Sequence, residues 1–434
     1  MNRSAQLRER FDVTEGVLNA EKSKEGMSMK RAIVVVVSAV TAASAIAASV
    51  ATADPTRVAS PAAPNCKLAT IALTGPYTGP AGSAGLDQRN WGRVFLTNWN
   101  GGRAIPGVPR TLKRTKLKAI EADTQLNPQV AATVAVQLRS NRDVLAANAF
   151  SGSQENVAGG PILRRGGMSF VSGSATRASL TDPSTPDGGV LRNGFFRRVV
   201  PHDNIQAGTA VTFMRQRLNV GSGDTVMVVD QAEAYSVPLS NRAAALLRAA
   251  NVEVDRQSQP AAQTDFTSLA NRAVAQRAEV VFFASQVASN AQLFFQQLKS
   301  RGYQGAFFGT DGTFNSNDFK VPGAYISSFS LDINDVPIAR PFVNQFKARF
   351  GDTISFGAPS FVAVQAIAMG ISAACADGRV SRLEVRREIG KVRMSTSLLG
   401  APIRFSNTGD VVGGVGFSIF QIGNDGSYNT VQKG

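Results

Sequence analysis

Of the 434 residues 43% are hydrophobic and only 18% charged, the opposite of the balance that disorder needs, so the chain has the length and apolar content for two or three packed domains. The net charge is +15, but Lys and Arg are scattered along the chain and no aromatic platforms interleave with them. That argues against a nucleic-acid partner and leaves the basic balance as solubility or attraction to acidic surfaces.

The N-terminus speaks to the compartment. Lys30 and Arg31 precede an uncharged run from Ala32 to Val50, and Ala51-Thr52-Ala53 follows with small residues where a signal peptidase reads. Residues 1–53 therefore read as an N-terminal extension and a secretory signal. The competing reading is a membrane anchor, for which the run is rich in Ala and Ser. Residues 1–28 are charged and unlike a targeting segment, which points to a natural start at Met27 or Met29. Residues 54–65, "DPTRVASPAAPN", read as a short unfolded leader. Cys66 and Cys375 are the two cysteines, an even count that permits one disulfide in an exported chain. "APN" before Cys66 is not a lipobox, so lipidation is not expected.

From Leu68 onward short β-branched runs alternate with segments of helical periodicity, as in α/β folds with parallel sheets. The first run enters "LTGPYTGPAGSAGLDQRNW", residues 73–91, ahead of a helix. A phosphate cradle is the obvious thought, but Gly79, Gly82 and Gly85 run G-x-x-G-x-x-G, no Gly-Lys-Ser/Thr follows, and Pro76 and Pro80 remove amide donors. Further strands are expected at 116–122, 143–150, 168–172, 225–230, 252–257, 279–284, 305–309 and 324–329. Between them, apolar stripes predict helices over 127–140, 204–218, 237–250, 266–278 and 290–302.

The loops after these strands form one surface in an open parallel sheet, where ligands bind. They are polar and small: Thr74–Thr78, Asp123-Thr124-Gln125, Ser151-Gly152-Ser153-Gln154, Ser172–Thr176, Asp230–Tyr235, Ser285-Gln286 and Thr310–Thr313. Hydroxyls and backbone N–H groups at helix N-termini converge on a small anion without needing a cation. Each Ser or Thr taken singly also suits an N-cap. Catalysis has little to work with. His202 is the single histidine and reads as a turn residue, no Cys/His spacing suits a metal, and Asp123, Asp230 and Asp311 fit binding as well as acid–base work. An enzyme is not expected, and neither is a cofactor.

Eight pieces in order carry a resemblance: "IALTGPYTGPAGSAG", "EADTQLNPQVAATVAVQL", "GPILRRGGMSFVSGSAT", "FRRVVPHDNIQAG", "VVDQAEAYSVPL", "TDFTSLANR", "FFGTDG" and "GFSIFQIGNDGSY". From Cys66 to the C-terminus the chain resembles the type I periplasmic substrate-binding proteins of ABC transporters, above all the Leu/Ile/Val-binding branch. The resemblance implies an α/β fold of two doubly wound parallel-sheet lobes joined by three crossovers, near 198–201, 328–332 and 405–410. The first lobe would comprise 66–199 and 329–406, the second 200–328 and 407–434. The loop at 73–91 would be one lip of the cleft between them.

The resemblance also implies roles. A ligand carboxylate would be held by Ser153 or Ser151 after the third strand and by Ser174 and Thr176 after the fourth. Asp311 in "GTDG" would take an α-ammonium, one methylene shorter than the glutamate also found there. Tyr235 would pack on the ligand from the second lobe, while Gln286 and Val287 stand where an aromatic is usual, against a branched-chain ligand. Cys66 and Cys375 would fall in the same lobe and could pair. The implied function is an exported, monomeric solute-binding protein that captures an amino acid or related small carboxylate for a membrane permease. A ligand-sensing receptor domain of the same fold is the alternative.

Overall fold

The computed structural model describes residues 66–434 apart from 186, 187, 190, 192, 193, 330, 414 and 415. The extension, signal and leader assigned to 1–65 lie outside the described residues. The first lobe opens with β1 (Leu68–Gly75), α1 (Gly82–Asn100), β2 (Lys116–Asp123), α2 (Pro128–Ser140), β3 (Val144–Asn148), α3 (Ser153–Arg165), β4 (Ser169–Ser172) and β5 (Phe196–Arg198). Their strands form a parallel sheet in the order β2-β1-β3-β4-β5, with Leu68 opposite Lys116 and Gly75 opposite Asp123. The chain then builds α4 (Asp203–Arg217), β6 (Thr225–Asp230), α5 (Ser236–Ala249), β7 (Glu253–Ser258), α6 (Thr267–Ala275), β8 (Val280–Ala284), α7 (Ala288–Ser300), β9 (Ala306–Gly309) and β10 (Tyr325–Ser328). It returns to the first lobe for α8 (Arg340–Phe350), α9 (Ala358–Ala374), α10 (Arg382–Lys391) and the small hairpin of β11 (Arg393–Met394) and β12 (Ile403–Arg404). It ends in the second with β13 (Ser418–Ile422) and β14 (Tyr428–Gln432).

The second sheet runs β14-β13-β10-β9-β8-β6-β7. It is parallel from β10 to β7, and β13 and β14 add an antiparallel margin. Both sheets are covered on both faces, which explains why their strands are almost continuously apolar. In β1, Ile71 and Leu73 join Trp91, Phe95 and Phe361 of α1 and α9, whereas Ala72 joins Leu138 and Leu163 of α2 and α3. In β8, Val281 and Phe283 meet Phe294 of α7, whereas Val280 and Phe282 meet Leu239 of α5.

Local sequence sets the helix starts. Asn127 Oδ1 accepts from Gln129 N at 2.8 Å and Val130 N at 3.1 Å ahead of Pro128, a cap with proline in the first helical position. Helix α9 is apolar enough and long enough, with its one-turn extension, to cross a membrane, but most of it is enclosed by protein and it serves as the central helix of the first lobe. Cys66, just before β1, is bonded to Cys375, just after α9, with Cα atoms 5.6 Å apart.

The chain passes between the sheets three times, and Val200, Phe329 and Phe417 from the three passages pack with Ile354 and Phe356 in one small cluster. The third passage falls later than 405–410. Residues 406–410 turn within the first lobe, where Arg198 N donates to Gly409 O at 3.0 Å and the buried Arg198 guanidinium pairs with Asp410 at 2.7 Å. That ion pair, with Thr181 Oγ1 donating to Asp410 at 2.8 Å, keeps the segment with the first sheet until Val411.

Candidate functional site

Each sheet has a point where the chain winds off in opposite directions from neighbouring strands, between β1 and β3 in the first and between β6 and β8 in the second. Loops at the carboxyl ends of strands near such points frame a crevice. The two crevices face each other. Ser151, Ser153, Ser174 and Thr176 from the first lobe and Tyr235, Gln286 and Asp311 from the second line one cavity of about 30 Å³. Ala81, Ala84, Leu126, Gly312 and Phe356 complete its wall. A cavity of that size holds a water or two, so a larger solute enters only when the lobes part.

The first wall is built of uncharged donors and acceptors. Ser151 and Ser153 bracket the start of α3, whose first turn is fixed by Gly152 N donating to Glu155 Oε2 at 2.6 Å. Ser153 Oγ accepts from Arg177 N at 3.3 Å, which leaves its own proton to give. Ser174 is held more completely: its hydroxyl accepts from Gln88 Nε2 at 2.8 Å and donates to Ser151 O at 2.9 Å, so it positions the Ser151 loop. Thr176 is 1% exposed, and its Oγ1 is enclosed without a hydrogen-bond partner. A buried hydroxyl left open costs about 1–3 kcal/mol, a debt that a ligand oxygen would clear.

The second wall is acidic. Gly312 follows Asp311 and lies so close to the loop after β8 that a Cβ there would sit 2.3 Å from Ser285 O, which forces glycine and sets the turn that presents Asp311. Tyr235 Oη donates to Asp311 Oδ1 at 2.5 Å. Burial pushes the Asp311 carboxyl up to about 7 and the Tyr235 phenol well above its ordinary range, the latter helped by the charge of Asp311. Asp203 at the start of α4 is raised well above the usual carboxylate range, first by burial and then by Asp311. Its oxygens have no partner at hydrogen-bond geometry, and the neighbouring Thr176 hydroxyl and the charges of Arg198 and Arg177 oppose the rise without cancelling it.

Across the lips the lobes already touch. Gln286 Nε2 donates to Gln154 Oε1 at 2.6 Å, Ser83 Oγ donates to Asp318 Oδ2 at 2.6 Å, and Arg177 Nη1 donates to Ala234 O at 2.7 Å, while within the second lobe Gln286 Nε2 also donates to Glu233 Oε2 at 2.7 Å. The glycine-rich loop behaves as a lip. Its amides at Tyr77 and Thr78 are taken up by Asp123, at 2.9 and 3.3 Å, and Thr78 Oγ1 also donates to that carboxylate, so no phosphate cradle is free. At Gly85 a Cβ would lie 2.0 Å from Pro76 O, so the glycine serves close packing of loop on helix. The other two candidates are also accounted for. Asp230 pairs with Arg256 and caps Ala232 N at 2.6 Å, and His202 precedes α4 as a turn residue whose carbonyl accepts from Ile205 N at 2.9 Å.

Sequence reasoning placed Gln154 and Glu233 in the polar loops without giving either a role, and missed Asp203, Leu126 and Phe356. Asp203 stood beside His202 in "VVPHDNIQAG", and an acid in a crossover segment was its only signal. Leu126 and Phe356 carry no polar signature. A positive φ marks Leu126 (+56°) and Ser355 (+63°), the latter next to Phe356, strained backbone of the kind that gathers at binding sites and cannot be read from residue type.

A family model described as "Periplasmic binding protein" matches residues 69–427, and the chain belongs to that family. Among solved structures it is similar to a leucine-binding protein from Thermotoga maritima, with 19% identity, a TM-score of 0.71, and 83% of this chain and 97% of that one covered. A branched-chain amino acid transporter substrate-binding protein from Streptococcus pneumoniae, in complex with isoleucine, gives 16% identity and a TM-score of 0.69 over 85% of this chain and all of that one. A solute-binding protein of an ABC transporter from R. palustris, in complex with benzoate, gives 15% and 0.69 over 84% and 95%. These likenesses establish the two-lobed type I fold. No curated protein sequence matches the chain. The family and these structural neighbours are described as binding proteins for solutes or substrates.

Proposed function

We propose that the chain is an exported, monomeric solute-binding protein of an ABC uptake system, which closes its lobes on an amino acid or related small carboxylate and presents it to a membrane permease. The observation that supports this best is the polarity of the cavity, with neutral hydroxyls on one wall, Thr176 among them unpartnered, and the buried Asp311–Tyr235 pair on the other. Such walls suit the two ends of a zwitterion. The carboxylate end meets Ser151, Ser153 and Thr176, and the ammonium end meets Asp311. Gln286 in place of an aromatic ring favours a ligand with a polar side chain over a branched-chain one.

Calorimetric titration with amino acids and with the same carboxylates lacking the amine tests the reading. Thr176→Ala is expected to weaken both classes by about 1.5–3 kcal/mol, the worth of a hydrogen bond to a charged group. Asp311→Asn should weaken the amines and spare the amine-free acids. Equal losses for both classes at Asp311→Asn would reduce that carboxylate to a turn-shaping role and remove the zwitterion.

A further inference from the structure

Beside the cavity the two lobes leave a second space, a groove of about 550 Å³. Arg177 lines it from the first lobe, and Asp203, Asn204, Glu233, Val237 and Asn241 line it from the second. It adjoins the cavity: Gln286 of the cavity donates to Glu233 of the groove at 2.7 Å, and Asp203 N donates to the carbonyl oxygen of Thr176 at 2.9 Å.

The carboxylates of this groove are incompletely used. Asp203 is 3% exposed and begins α4 without capping it, and its oxygens have no partner at hydrogen-bond geometry although the Thr176 hydroxyl acts on the carboxyl. Glu233 gives Oε2 to Gln286 while its Oε1 is enclosed without a partner. Burial raises both carboxyls, and at Asp203 it outweighs the opposing charges of Arg198 and Arg177. Arg177 is the cation on this wall, and two of its donors are directed to Ser179 Oγ at 2.5 Å and Ala234 O at 2.7 Å. Ala178, Val237 and Pro238 add an apolar strip along the groove, suited to a methylene stem whose charged head reaches a polar end. Asp203 and Glu233 thus keep oxygens without a hydrogen-bond partner beside a space between the lobes.

We propose that the groove is the side-chain subsite of the bound solute and that the solute is a basic amino acid: its α-carboxylate and α-ammonium in the cavity, its methylene stem along Val237 and Pro238, and its terminal ammonium or guanidinium between Asp203 and Glu233. The inference rests on the zwitterion reading of the cavity and adds the second cationic group. It also assigns a use to the polar contact of Gln286 and Glu233, which an aliphatic side chain would waste.

The test is calorimetric titration of the mature chain with lysine, ornithine and arginine against norleucine and glutamine, which offer similar length without the charge. At least one basic amino acid is expected to bind tenfold or more tighter than both neutral ones. Glu233→Gln, nearly isosteric, should reduce that ratio at least tenfold, and Asp203→Asn should reduce it as well, with thermal unfolding confirming that each variant is folded. Neutral amino acids binding as tightly as the basic ones, or a ratio unchanged in both variants, would overturn the subsite and leave the zwitterion reading standing. Binding of amine-free carboxylates such as benzoate with no amino acid bound would overturn both.

Discussion

The two walls of the cleft are made from the same kind of loop, at the carboxyl ends of parallel strands, yet they carry opposite chemistry. The first lobe offers Ser151, Ser153, Ser174 and Thr176, neutral groups at helix starts, whereas the second offers Asp311 and Tyr235, with Asp203 behind them. If the solute is dipolar as proposed, neutral donors on one body and an acid on the other grip its two ends only when the bodies meet, so recognition and closure become one event. The lobes also differ in how they are tied. The first is assembled from segments far apart in the chain and has the Cys66–Cys375 bond between them, a separation of 309 residues, while the second is mostly one continuous run with a packed phenylalanine cluster around Phe283, Phe294 and Phe307.

The largest effect should come from breaking that tie. In the chain-entropy account a loop of this length stabilises by about 5 kcal/mol. Cys66→Ser with Cys375→Ser is expected to lower the stability of the first lobe by that order, seen in calorimetry as a transition at lower temperature that reduction reproduces in the parent protein. Unreduced parent protein that titrates with two free thiols after unfolding would remove the tie and the contrast with it.

Much of this arrangement was legible from residue patterns, and the reason differs from part to part. All nine strands expected from β-branched runs are present, because strands buried on both faces must be apolar throughout and announce themselves. β5, β11, β12, β13 and β14 were not expected: "FRR" and the two-residue β11 and β12 are too short, "YNTVQ" is polar, and tertiary pairing decides all five. Seven side chains that line the cavity were named through the resemblance, position by position, and the hydroxyls and acid among them also stand out as polar groups after successive strands. Their partners Asp203 and Glu233 were given no role, since they sit behind that layer and matter through burial, which a sequence does not display.

A middle-sized effect concerns the acidic wall and pH. Asp311 is pushed up to about 7 in the folded chain, whereas an unfolded aspartate titrates near 3.8. As pH rises between these values, the unfolded state sheds its proton first, so the ligand-free protein loses stability across roughly pH 4 to 7. Below that window both states are protonated and the penalty vanishes. Asp311→Asn should flatten this part of the slope, giving a variant closer to the parent at pH 4.5 and more stable than the parent at pH 7.5, by thermal unfolding in the absence of ligand. A variant that retains the parent's slope would mean that Asp311 is charged in the folded protein at all these pH values, and the acidic wall would then be a standing anion.

The smallest effect separates closure from recognition. Ser83, in the first turn of α1, donates to Asp318 Oδ2 at 2.6 Å and accepts from Asn315 Nδ2 at 2.7 Å, a contact between lobes that touches no cavity-lining group. A hydrogen bond to a charged group is worth about 1.5–3 kcal/mol when enclosed, and partial exposure brings this one down to about 1 kcal/mol. Ser83→Ala should therefore shift the ligand-free lobes toward the open form about fivefold, visible as a larger radius of gyration in small-angle scattering. Affinity should fall by a similar factor for every ligand, because the variant taxes closure alone. The contrast with Asp311→Asn is the informative part: a loss at Ser83→Ala that depends on whether the ligand carries an amine would place the α1 lip within the recognition surface, and the division of the cleft into neutral and acidic walls would have to be redrawn to include it.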